Sequence, residues 1–345
     1  MSQIFIHGVG AVSPAGWGVA ALREALERNE VLPWKELARP GWTKSLHVRQ
    51  LPPPPSRPAF LAHPRLRRTS AITQYAVAAA LEALGKDAAQ FNQSPLRLGI
   101  VLCVMSGCVS YSRRFYDETL KDPATASPLV FPETVFNAPS SHLAALLGTT
   151  AINYTLVGDP GTFLQGLALA AEWLTTRQVD AALVIGAEEL DWLTADAFRL
   201  FARRIVLSEG AGAIYLRREK ADPPAVALEA VTDAYLFWNE PSRFEAAAKV
   251  PNALATDATD AADALLCDGL QDLPRLDEPE ARAWQNWNGI RLSLKRILGE
   301  GLMAATSWQC VAAVDALMQA RHATAIVSVV GCNQQAIGAR FAIGH

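Results

Sequence analysis

The stretch that most constrains what this chain can fold into is NYTLVGDPGTFLQGLALAAEWLTTRQVDAALVIGAEE, residues 153–189. Its pattern changes three times. Tyr154 to Val157 is a short β-prone run, and Gly158-Asp159-Pro160-Gly161 can only turn. From Phe163 onward Leu164, Leu167, Ala168, Ala171 and Leu174 share one helix face. Ala181 to Ile185 is an unbroken apolar run closed by Gly186, as in a strand covered on both faces. In α/β enzymes a strand-to-helix turn of this kind often presents a nucleophile to an anion-favouring helix N-terminus. Here the turn offers Asp, Pro and Gly instead.

The rest of the chain repeats the alternation of strands and helices, which predicts an α/β fold with largely parallel sheets. Strands are expected at Gln3–His7, Leu98–Val104, Ser208–Leu216, Val226–Val231 and Ala325–Val330, with a strand pair at 339–343. Helices are expected at Gly18–Glu27, Ser70–Leu84, from Cys108 through Leu120, Thr194–Phe201, Ala261–Leu270 and Ala304–Met318. Residues 29–64 are Pro-rich without a sustained period and read as a loop, while 272–280 reads as an exposed acidic loop. Ala221-Asp222-Pro223-Pro224 is a plausible junction, dividing the chain into 1–220 and 221–345.

With 345 residues, 50% hydrophobic, the chain can bury a large core. A net charge of −3 gives no reason to expect nucleic acid or an anionic membrane as partner, and no apolar run is long enough to span a bilayer. Five cysteines, odd in number and mostly in apolar contexts, suggest reduced thiols in a cytoplasmic protein. No Cys or His cluster has metal-ligand spacing, so no metal and no cofactor are expected.

Several motifs together resemble the β-ketoacyl-acyl carrier protein synthases of the thiolase superfamily. Asp180-Ala181-Ala182-Leu183-Val184-Ile185-Gly186-Ala187-Glu188 fits the strand that follows their nucleophile elbow. Ser208-Glu209-Gly210-Ala211-Gly212-Ala213 fits their G-E-G-A-G strand, and Gly8-Val9-Gly10-Ala11-Val12-Ser13-Pro14-Ala15-Gly16 fits their opening segment better than half a dinucleotide fingerprint. Leu294-Lys295-Arg296-Ile297-Leu298-Gly299-Glu300 has the spacing of their lysine–histidine segment. The resemblance implies a five-layered αβαβα sandwich made of two duplicated halves.

It also implies that the machinery is missing. The family's catalytic Cys falls on Pro160, its two histidines on Asn286 and Glu300, and only the lysine, Lys295, is kept. The histidines of this chain are 7, 47, 63, 142, 322 and 345, so a Cys-His-His triad in the family's order is impossible. Glu300 would place negative charge where an enolate develops. His142, at a helix start, is expected to be structural; Cys108 and Cys332 are expected to be small buried hydrophobes, and Lys295 an ion-pair partner of Glu300.

The resemblance then implies a non-catalytic, chain-length-factor-like subunit. Its expected partners are an active ketosynthase, in a heterodimer, and an acyl carrier protein with its acyl chain. The pathway would be type II polyketide or polyene biosynthesis, of the bacterial aryl polyene kind. The strand Asn153, Tyr154, Thr155, Leu156 and Val157 would pair across the dimer axis, and Phe131, Phe136, Leu164 and Cys332 would border the tunnel or interface. Arg65, Arg67, Arg68, Arg203 and Arg204 are candidates to meet the carrier protein. Two other readings stay open: a stand-alone acyl-thioester enzyme (acyltransferase, hydrolase or decarboxylase) with other residues, and a homodimeric acyl-binding scaffold.

Overall fold

The computed structural model describes residues 3–91, 96–254 and 263–344. The first half of the chain contains β1 (Ile4–Ser13), β2 (Gly16–Trp17), α1 (Val19–Arg28), β3 (Lys35–Leu37), β4 (Leu46–Arg49), α2 (Ala71–Leu84), β5 (Leu98–Val104), α3 (Val109–Lys121), α4 (Ala138–Leu147), β6 (Asn153–Val157), α5 (Thr162–Thr175), β7 (Ala181–Glu188), α6 (Trp192–Phe201), β8 (Leu207–Ser208) and β9 (Gly210–Arg217). The second contains β10 (Val226–Val231), β11 (Tyr235–Leu236), α7 (Glu240–Ala253), β12 (Leu265–Asp268), α8 (Pro274–Ala283), β13 (Ile290–Ser293), α9 (Leu294–Leu298), α10 (Met303–Met318), β14 (Thr324–Val330) and β15 (Gln335–Ile343).

One strand order occurs twice. In the first half β6, β5, β7, β9 and β1 lie side by side, and in the second half β13, β12, β14, β15 and β10 do the same. In each half the first three strands are parallel and the last two antiparallel. The halves join where β1 pairs β10 antiparallel, Ile4 opposite Leu228. α10 is buried along almost its whole length, because it lies with α5 between the two half-sheets. α2 covers the outer face of the first half and α7 and α8 that of the second, completing five layers.

Sequence chemistry accounts for the layers. β5 and β7 are buried at every position, which explains their unbroken apolar character. The Ala-rich face of α2 lies directly on β1. A Cβ added at Gly10 would come within 2.0 Å of the Ala79 carbonyl oxygen, so only glycine permits that approach.

Five local expectations are corrected. The run expected as helix from Ala261 to Leu270 contains strand β12; Ala261 and Ala262 lie outside the described residues. Burial between β13 and β14 decides in favour of a strand. The expected acidic loop 272–280 is largely helix α8, since Pro274 stands in its first turn, where a missing N–H costs nothing. The closing strand pair is one long strand, β15, and β7 runs past Gly186 to Glu188. The Pro-rich segment 29–64 supplies β3 and β4, which form a small sheet with β8. No described helix is long and apolar enough to cross a membrane.

Candidate functional site

Parallel strands gather their functional residues at their carboxyl ends. Here the ends of β6, β12, β13 and β14 bring the turn 158–161 together with Cys332, Lys295 and Asp268. The turn closes with Thr162 N donating to the Asp159 carbonyl (2.7 Å) and Phe163 N to that of Pro160 (3.3 Å). Pro160 itself is buried and carries neither a nucleophile nor an N–H.

Asp159, 1% exposed, does the binding in this turn. Its carboxylate accepts hydrogen bonds from Cys332 N (3.0 Å), Cys332 Sγ (3.1 Å), Gln334 N (3.2 Å) and Gln335 N (3.2 Å). Loop 331–334 is therefore stitched down over the turn. Gly331 is required for this, since a Cβ there would lie 1.7 Å from Asp159 Oδ2. Cys332 is exposed as a residue, but its sulfur points inward. Desolvation there, with the charge of Asp159, pushes the thiol far above its usual range. The Gln335 amide, meanwhile, donates to the Thr162 hydroxyl (3.4 Å) and to Gln165 (3.3 Å).

Below this lid lies an ion pair. Lys295 Nζ is 2.7 Å from Glu300 Oε2, both side chains buried. Burial alone would lower the lysine, but Glu300 outweighs it and holds the ammonium above its ordinary value. Glu300 Oε1 accepts from Leu302 N (2.8 Å), and its backbone exchanges hydrogen bonds with the β8 segment at Val206 and Ser208. Glu300 is thus a structural clasp between α9, α10 and β8. Nearby, Glu280 accepts from Gly269 N (3.1 Å) and Asp268 faces Arg291 (3.1 Å). Burial raises both carboxyls.

The structure brings Pro160, Cys332, Lys295 and Glu300 into one region, and it leaves Asn286 outside. Asn286 is exposed in the turn preceding β13, at the opposite end of the sheet from Asp268 and Lys295. The residue at the end of β12 is Asp268, followed by Gly269. Sequence reasoning missed Asp268, Glu280 and the Asp159 latch; the run Leu265-Leu266-Cys267 ending in Asp-Gly was the available signal for the first. Leu164 is fully buried core, whereas Phe131 and Phe136 are 55% and 40% exposed. Cys332 borders a cavity of about 270 Å³ with Arg243, Phe237, Trp238 and Phe201.

Cys332 is the thiol placed against a base, the Asp159 carboxylate, and burial together with that charge raises it instead of activating it. Burial raises the thiols of Cys103, Cys267 and Cys310, and that of Cys108 to about 12. His142 is engaged by Glu133 at 2.7 Å, as befits a structural role. Among the described residues no group of three or more His, Cys, Asp or Glu side chains is placed to hold a metal ion.

Strand β6 is the free edge of the first half-sheet. Tyr154 and Val157 are 53% and 52% exposed, and Asn153 Oδ1 and Thr155 Oγ1 are buried without a hydrogen-bond partner. Val157 sits opposite Val104 of β5. Three residues beyond Val104 the Phe136 ring, 40% exposed, covers Gly107. Arg65, Arg67, Arg68, Arg203 and Arg204 are all exposed.

Residues 56–222 match the family model "Beta-ketoacyl synthase, N-terminal domain". The whole chain has the thiolase-like ketosynthase fold. A β-ketoacyl synthase from Burkholderia phymatum STM815 superposes with a TM-score of 0.82 at 15% identity, covering 100% of both chains. A chain of the ketosynthase ApeO in complex with its chain length factor ApeC, from Xenorhabdus doucetiae, gives 0.80 at 15% identity over 99% and 98%. The AntDE ketosynthase structure, with its type II polyketide synthase acyl-carrier protein AntF and a bound hexaketide, gives 0.78 at 15% over 99% of each chain. No curated protein matches the sequence.

Proposed function

We propose that this chain is a non-catalytic ketosynthase-like subunit of the chain-length-factor kind. It pairs with an active ketosynthase through the β6 edge, completes the dimer and shapes the tunnel that receives a carrier-protein-bound acyl chain. The observation that carries the reading is the turn 158–161. Where a condensing enzyme needs a thiolate, this chain has buried Pro160, and Asp159 fastens loop 331–335 over it. A decarboxylative condensation also needs groups that stabilise a developing enolate, and here the positive charge of Lys295 is offset by Glu300 at 2.7 Å.

The exposed apolar edge, with the buried unpartnered Asn153 and Thr155 oxygens, supports an obligate partner. In that pairing Phe131, Phe136 and Cys332 border the tunnel or the interface. The pathway we propose is a cytoplasmic type II polyene pathway of the aryl polyene kind. Reconstituted chain elongation on the carrier protein tests the assignment. Elongation should need both subunits, and removing the partner's nucleophile alone should abolish it. Elongation by this chain without a partner would overturn the reading.

A further inference from the structure

On the far side of the Lys295–Glu300 pair from Cys332, the segment that reads as a Pro-rich loop delivers a cation into the protein. Arg49, on β4, is only 8% exposed. Its Nε donates to the Leu32 carbonyl (2.8 Å), while its two terminal nitrogens have no acceptor and no carboxylate within ion-pair distance among the described residues. Burial lowers this guanidinium's pKa, with no acid opposing the shift.

Arg49 borders a cavity of about 270 Å³, and so do Arg204, Lys295, Arg296, Gly299 and Asp272. Lys295 is neutralised by Glu300. Arg296 is held by Asn29 (2.9 Å), Arg204 is exposed, and neither forms an ion pair among the described residues. The remaining lining is three guanidiniums against one carboxylate, a net charge of +2. Glycine at 299 keeps the flank open, since a Cβ there would stand 3.3 Å from Arg49 Nη1.

We infer that this cavity is a binding site for a phosphoryl anion, either free phosphate or a small phosphomonoester, gripped by Arg49 from below and by Arg204 and Arg296 at the rim. Guanidinium forks match such oxyanions, and a phosphoryl group offers enough oxygens to engage separate arginines at once, where a carboxylate offers two. The inference goes beyond the subunit reading and stands independently of it.

The test is calorimetric titration of the purified protein with inorganic phosphate and with glycerol 3-phosphate, at constant ionic strength set with chloride. Saturable binding is expected, weakened at least tenfold in Arg49→Met and in Arg296→Met and unchanged in Arg203→Met. Should Arg49→Met fail to fold, Arg296→Met carries the comparison. Binding of phosphate alone identifies a site for the free ion; binding of both identifies one open to an attached group. No saturable binding, or equal affinity in Arg49→Met and Arg296→Met, overturns the proposal.

Discussion

Pro160, buried in the turn after β6, offers neither a nucleophile nor an N–H. A thiol placed there would still lack an imidazole base among the described residues, and Lys295 is paired with Glu300. Pro160→Cys is therefore expected to show no condensing activity with acyl and malonyl thioesters, measured by product formation; any turnover would mean that another base serves. Lys295 and Glu300 act as a unit. Lys295→Met leaves a buried carboxylate unpaired and should destabilise the protein by about 3–5 kcal/mol in urea denaturation. Adding Glu300→Gln should recover much of that loss. The lysine's folded-state pKa is raised, so its contribution is complete at neutral pH and is lost as pH rises through that value. The Lys295–Glu300 pair was legible in the sequence because its spacing is local. Asp159 and Arg49 were not: the Asp159 latch spans 173 residues or more, and a buried arginine in a Pro-rich segment looks like any exposed one.

Among elements, loop 331–335 depends most on a single side chain. Asp159→Ala should free it, exposing Cys332 and removing the charge that raises its thiol. Alkylation of Cys332 by iodoacetamide at pH 7.5, followed by mass spectrometry, should accelerate about tenfold or more. An unchanged rate would mean the loop is held by something else. Elements with a strong period or a long apolar run, such as α5, α10, β5 and β7, could be read directly. β12 could not, because four apolar residues beside an Ala-rich stretch fit helix and strand equally until β13 and β14 flank them. α8 was hidden by its prolines, one in its first turn and Pro279 within it.

At the scale of the molecule, buried carboxyls set the pH response. Burial raises Glu188 to about 8 and Glu189 to about 7, against the backbone N–H groups of Met105, Ser106, Ser110 and Ile72 that favour their charged forms. Groups raised in the folded state stabilise it fully below their unfolded value and lose that contribution as pH rises through the folded one. Thermal stability should therefore fall between about pH 5 and pH 8, with a shallower slope in Glu188→Gln. A midpoint that rises over this range would contradict the assignment. The Arg97–Asp180 pair, with Asp180 held at about 2, adds no slope in that window. The duplicated strand order was only implied by resemblance, since nothing in composition reveals that two halves share a topology.

The central claim is that β6 is an unfinished edge awaiting a ketosynthase. Native mass spectrometry of the chain co-expressed with the catalytically complete ketosynthases of its own genome tests it most directly. The account predicts a one-to-one complex with one of them, dispersed by Thr155→Pro or Val157→Arg at the edge strand. A homodimer that ignores every ketosynthase, and that these substitutions leave intact, would contradict it.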